Sequence, residues 1–364
     1  MPHAAVDNRT LSACEHLFLA DEEGRCVLVV LVQATFTIVG GASLVLAEKQ
    51  LPPCIDGEVS PPDPTRDARS SSPAASYRIE PAFAFVKPAT DVVLLGHAQA
   101  GGRPVTDLQV SFRVGPVGKT LLVVGDRFWV KSAGQMAATR PQPFLRMPIV
   151  YERAFGGWDR SHPDRARHTF EPRNPVGVGF RAADGRFEEG LRLPNIEDPS
   201  GPLQRFGQVV APAGVGFVSP DWQPRAAFAG TYDERWMKER MPLLPADFDR
   251  RFFNAASPGL VAPGYLTGDE PVLVDNASPG GRLWFRLPGL RPPGCRVEQV
   301  GRRDVRPEMR LDTVVVDADA GQVLLLFRGH VLLADGPHSV RTIVVDGEAA
   351  GSVGQAALSP AMRV

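Results

Sequence analysis

The 364-residue chain reads as a mainly-β protein, with two β-sandwich-like lobes joined by an irregular, loop-rich central region that carries one or two short helices. Three observations lead there. Short apolar runs, one of them with the clean two-residue period of a half-buried strand, recur in residues 1–140 and again in residues 264–364. Glycine (36) and proline (35) make up about a fifth of the chain, which fills it with turns and leaves little room for long helices. Only one segment carries a helix-start signature, and it lies in the central region, residues 141–263.

The N-terminal stretch supplies the clearest strands. Residues 27–39 are an apolar run interrupted by Gln33, Thr35 and Thr37, and too short to cross about 30 Å of hydrocarbon as a helix, so a buried strand is expected. Gly40-Gly41 then separate it from residues 43–48, which predicts a hairpin with a two-residue loop. Asp107–Val114 alternates, with Leu108, Val110, Phe112 and Val114 on one face and Gln109, Ser111 and Arg113 on the other. Residues 91–97 and 120–124 are further runs of this kind. Residues 52–76, rich in proline and with Ser70-Ser71-Ser72, read as an extended, mobile loop.

The central region crowds aromatics, arginines, prolines and glycines together without periodicity. Thr231-Tyr232-Asp233-Glu234 reads as a capping box, with Thr231 as N-cap and Glu234 at the third helical position. The helix would carry Trp236 and stop by Arg240, before Pro242. One so short is unstable alone, so Trp236 is expected to dock on something. In residues 264–364, the runs 313–316 and 323–327 flank a hairpin turn at 317–321. Residues 271–274, 282–287 and 340–345 extend the sheet.

Charge excludes one class of partner. Forty cationic against 41 anionic side chains, a net charge of −1, leave no excess to neutralise phosphates, so no nucleic-acid partner is expected. Residues 1–13 carry Asp7 and Arg9 and no apolar core, so no export signal is read, no membrane partner is expected, and the expected location is the cytoplasm. Cys14, Cys26, Cys54 and Cys295 are dispersed, with no C-x-x-C pair; reduced thiols are expected, and neither a metal nor a cofactor.

Catalytic signatures fail one after another. Gly118-Lys119-Thr120 resembles the end of a phosphate-binding loop, but Arg113 stands where its first glycine belongs, so a hairpin turn is the better reading. There is no G-x-S-x-G elbow and no H-E-x-x-H. Between residues 151 and 205, nine carboxylates face nine arginines. Two of those acids could serve as a glycosidase pair, and His162 or His168 as a general base. No pair is singled out by spacing, and matched charges that hold irregular backbone in place are preferred. The positive signal is a binding surface. Trp158, Trp222, Trp236 and Tyr232, with neighbouring arginines, are the residue types that carry interface energy.

These blocks resemble one bacterial family. Tyr151, Arg153, Phe155, Gly156 and Gly157 form the first, followed by Trp158, Asn174-Pro175, Asn195 in Leu193-Pro194-Asn195, and Trp222 with Arg225. Thr231-Tyr232, Trp236 and Asp247-Phe248-Asp249 continue the series, and Lys87-Pro88 and residues 266–270 match at either end. The order is that of the family catalogued as domain of unknown function 2169. The resemblance implies a cytoplasmic, non-enzymatic adaptor or chaperone of the type VI secretion system, which binds a toxic effector and helps load it onto VgrG- or PAAR-type spike proteins. It implies no catalytic residue, and makes the motif positions candidates for structural or cargo-contacting roles. The alternatives are a carbohydrate-active hydrolase using two central carboxylates, or a structural spike or baseplate component.

Overall fold

The 14-residue strand Cys26–Val39 organises the molecule. In the computed structural model, which describes residues 4–61 and 75–347, its Leu28, Val30 and Val32 face one apolar cluster and its Val27, Val29 and Leu31 face another. A strand buried on both faces has no reason to alternate, which is why its sequence is a single apolar run. Each such side chain contributes about 1.5–3 kcal/mol by leaving water.

That strand pairs antiparallel with Ala13–Ala20 on one side and with Gln322–Leu332 on the other. Arg310–Asp317 follows antiparallel, and Asp91–Leu95 closes the sheet in parallel. Ser43–Leu46 folds back on the far half of Cys26–Val39, with Val39 opposite Ser43. The hairpin expected there forms, but its loop is Gly40-Gly41-Ala42, one residue longer, with both glycines at positive φ (58° and 70°). The 317–321 hairpin forms between Arg310–Asp317 and Gln322–Leu332.

A second sheet runs in the order Ile196–Glu197, Val117–Val124, Asp107–Val114, Pro271–Asp275, Arg282–Arg286, all antiparallel. Asp107–Val114 keeps its alternation: Val110, Phe112 and Val114 are buried while Asp107, Gln109 and Arg113 face water. Gly118-Lys119-Thr120 is not a turn but lies inside the strand Val117–Val124; the turn is at Gly115-Pro116, where the pairing of Val114 with Val117 closes. A small third sheet sets Ala5–Asn8 parallel to Val340–Asp346, which pairs antiparallel with Gly294–Gln299.

The mainly-β class is therefore as expected, but the strands do not sort into an N-terminal and a C-terminal lobe. Strands from residues 1–140 and 264–364 share both large sheets, and side chains from all three sheets join one continuous core. Strand periodicity shows which residues face inward and says nothing of which distant strand lies alongside, so the chain's texture suggested a division that pairing removes.

The central region covers what the sheets leave open. Leu260 O accepts from Val92 N at 3.0 Å and Val215 O from Leu94 N at 3.0 Å, so loop backbone caps the exposed side of Asp91–Leu95. Leu244 and Phe253 pack with Phe85 and Val86 over the other face of the Cys26–Val39 sheet. Among the described residues there is one α-helix, Glu234–Glu239, with five short 3-10 helices. Of the loop expected at 52–76, residues 62–74 lie outside the described residues. Its ends are joined: Ser60 N donates to Ser76 O at 2.8 Å, and Ser76 donates from N and Oγ to the Glu152 carboxylate at 2.7 and 2.9 Å.

Candidate functional site

The motif residues separate into two groups by burial. Tyr151, Arg153, Phe155, Gly156, Gly157, Asn174, Asn195, Trp222 and Arg225 are buried, with Pro175 half-buried beside them. The rings of Tyr151 and Trp222 meet edge to face with centroids 5.4 Å apart. Asn174 Nδ2 donates to Tyr151 O (2.8 Å) and Phe155 O (3.0 Å), satisfying carbonyls of a segment whose pairing is confined to the two-residue strand Phe155–Gly156. Gly156 and Gly157 hold φ of 150° and 89°, and a Cβ on either would lie 2.2 Å from a carbonyl oxygen, of Asn174 and Gly177 respectively. Only glycine fits there. Arg153 Nη1 donates to Asn195 Oδ1 (3.1 Å), while Asn195 Nδ2 donates to Val124 O (2.9 Å) and Asp126 Oδ1 (3.0 Å). Arg225 reaches Val218 O (2.8 Å), Phe252 O (2.7 Å) and the Glu80 carboxylate. This group is a frame, and a partner cannot touch it.

Four of the acids of this region, Glu152, Asp159, Glu171 and Glu197, are buried and serve the same frame. Asp159 accepts from Ser161 N and Ala182 N (both 2.9 Å), and Glu171 pairs with Arg173 (2.7 Å). Glu197 pairs with Arg127 at 2.8 Å. His162 Nδ1 accepts from Asp164 N at 3.0 Å, and His168 Nε2 lies 3.0 Å from His162 O.

The second group is a projection spanning residues 228–253. Its helix begins two residues later than the capping box implied. Asp233 is the N-cap, its Oδ1 accepting from Trp236 N at 2.8 Å. Thr231 is occupied elsewhere: its N and Oγ1 donate to the two oxygens of Asp247 at 2.9 and 2.8 Å, which holds that carboxyl below its ordinary value. A sequence pattern cannot distinguish a threonine that caps a helix from one that ties a loop sixteen residues away. Gly230 (φ 83°) makes this closure possible, since a Cβ there would lie 2.7 Å from Pro245.

Trp236 docks, but on its own loop. Its Nε1 donates to Leu243 O at 2.8 Å, and its ring meets Tyr232 at 4.7 Å. Below, Phe248, Phe252 and Phe253 contact one another edge to face, and Arg251 lies over the Phe228 ring at 4.4 Å. Asp249 caps the short helix Arg250–Phe253 through Arg251 N (2.9 Å). Arg240 donates to Glu22 O (2.9 Å) and Arg250 to Glu22 Oε1 (2.5 Å), which fastens the projection to the turn before Cys26–Val39.

Outward the segment presents the charged side chains of Glu234, Arg235, Lys238 and Glu239, with three large apolar ones among them. Tyr232 is 54% exposed, and Met237 and Met241 are each 61% exposed. Met237 lies on the helix and Met241 in the turn just past its C-cap, Arg240. Neither methionine was among the residues expected at the site. Trp158 belongs to neither group. Half-buried, it stacks on exposed Phe170 at 4.6 Å, with Arg160 over its ring at 5.2 Å.

Among the described residues no group of three or more His, Cys, Asp or Glu side chains is placed to hold a metal ion, and no helix is long and apolar enough to cross a membrane. The four cysteines are free thiols; burial pushes Cys14 and Cys295 up to about 12. The model of a bacterial family described as "Uncharacterized protein conserved in bacteria (DUF2169)" matches residues 23–328. No curated protein and no solved structure matches the chain.

Proposed function

We propose that this chain, which belongs to the bacterial DUF2169 family, is a non-enzymatic adaptor that grips another polypeptide through the projection at residues 228–253. The observation that carries the reading is the contrast within one segment: side-chain bonds brace its backbone, while Tyr232, Met237 and Met241 face solvent. A pre-braced surface loses little entropy on binding. Methionine adapts to varied apolar partners, and tyrosine supplies rigid contact area. An apolar segment of a cargo protein that needs cover before delivery is the partner such a surface suits.

The family resemblance points to the type of cargo: a type VI secretion effector, bound in the cytoplasm and passed to VgrG- or PAAR-type spike proteins. Buried arginines and carboxylates engaged in holding backbone favour this reading over a central glycosidase pair. Deleting the gene tests it. Secretion of the effector that co-purifies with the chain should stop and return on complementation. Undiminished secretion would refute the adaptor role, and secretion of the chain itself would indicate a spike or baseplate component instead.

A further inference from the structure

We infer that a cavity of about 260 Å³, bounded by Lys87, Tyr265, Arg310 and Arg328, is a binding site for a single carboxylate group. Its floor is formed by Lys87, Asp312 and Arg328, whose side chains are all at least nine-tenths buried. Its rim is formed by exposed Tyr265, Glu308 and His330, with Arg310 half in water.

Two donors on the floor have hydrogen bonds left to make. Arg328 gives Nε to Asp312 and Nη1 to the carbonyls of Ala82 and Ala84, while its buried Nη2 has no partner in the protein. Lys87 gives Nζ to Asp91 Oδ2 (2.8 Å) and Thr313 Oγ1 (3.1 Å), and an ammonium carries three N–H groups. Desolvated donors left unpaired are costly, and an oxyanion between them would accept from both in charge-assisted bonds.

The charge count selects the anion. Lys87, Arg310 and Arg328 are already answered by Asp91, Glu308 and Asp312, so the site offers spare donors without spare charge. A dianion such as phosphate would set two added charges beside the lining carboxylates Glu308 and Asp312, with Asp91 behind Lys87; a monoanion sets one. Glu308 is 71% exposed and can swing into water, releasing Arg310 toward the newcomer. Val86 and the Tyr265 ring, over which Arg310 lies at 5.5 Å, suit a short aliphatic stem. The volume is at the small end for ligand sites, which fits a short organic acid or the terminus of a peptide.

The inference stands on the cavity and does not require the adaptor reading. Titration of the full chain with butyrate, with an N-acetylated peptide bearing a free C-terminal carboxylate, and with its amidated counterpart tests it by calorimetry. The expected result is saturable one-to-one binding of butyrate, the free-acid peptide or both, with the amide at least tenfold weaker. Tighter binding of butyrate assigns the site to free acids, and tighter binding of the peptide to chain termini. Arg328→Lys, which keeps a cation for Asp312 and removes Nη2, should weaken binding at least tenfold, and Arg310→Gln on the rim several-fold. Should Arg328→Lys fail to fold, Arg310→Gln carries the test. No saturable binding of either carboxylate, tighter binding of phosphate, or unchanged affinity in Arg310→Gln would overturn it.

Discussion

Thr231 and Asp247 close the projection through two hydrogen bonds, N to Oδ1 at 2.9 Å and Oγ1 to Oδ2 at 2.8 Å, across sixteen residues of chain. Both side chains are exposed, so the pair fixes local backbone and adds little to the core. Asp247→Ala should leave the global unfolding midpoint in place while amide exchange speeds up across residues 228–249. Unchanged exchange there would show that the aromatic contacts brace the projection alone.

Trp222 and Tyr232 both belong to blocks of the family pattern, and their substitution should have opposite consequences. Trp222 is 2% exposed and packed against Tyr151, so Trp222→Ala should cost about 3–5 kcal/mol of stability. Tyr232→Ala, at the surface, should change stability by no more than about 0.5 kcal/mol. Chemical denaturation of the two variants decides; similar losses would mean that Tyr232 is part of the frame.

Glu80 is the buried partner of Arg225, and burial pushes its carboxyl up from the ordinary value despite the guanidinium beside it. Removing one member of such a pair strands the other. Glu80→Ala should therefore destabilise the protein by about 3–5 kcal/mol, read from the shift in denaturant midpoint. A loss below about 1 kcal/mol would mean that the carbonyls of Val218 and Phe252 suffice for Arg225.

His330 keeps part of its surface in water at the cavity rim, but its ring is partly desolvated; that desolvation, and then Arg250 and Arg328, hold it below the ordinary histidine value. The folded state thus takes up its proton less readily than the unfolded chain. The stability this group contributes is present above the ordinary histidine range and is lost as pH falls through it. Between about pH 8 and 5.5 the wild type should lose more thermal stability than His330→Gln; parallel curves would contradict the assignment.

Much of this was legible in the sequence. Asp107–Val114 could be read residue by residue because one face is wet and the other dry, and the arginine–carboxylate balance of the centre foretold its frame. Two things were hidden. Which strands adjoin Cys26–Val39 depends on partners nearly three hundred residues away, and a run buried on both faces records no register. Nor could family blocks be divided into frame and surface, because Trp222 and Trp236 look alike as letters. Only burial separates them, Trp222 inside and Trp236 at the base of an exposed helix.

The most direct measurement is the affinity of the co-purifying effector for the wild type and for Tyr232→Ala/Met237→Ser/Met241→Ser, with the folding of both confirmed. If the projection is the grip, the triple variant should bind at least about 30-fold more weakly, the loss expected when a centre of binding energy is removed. Affinity within about twofold of wild type would place the contact elsewhere on the molecule and contradict the account.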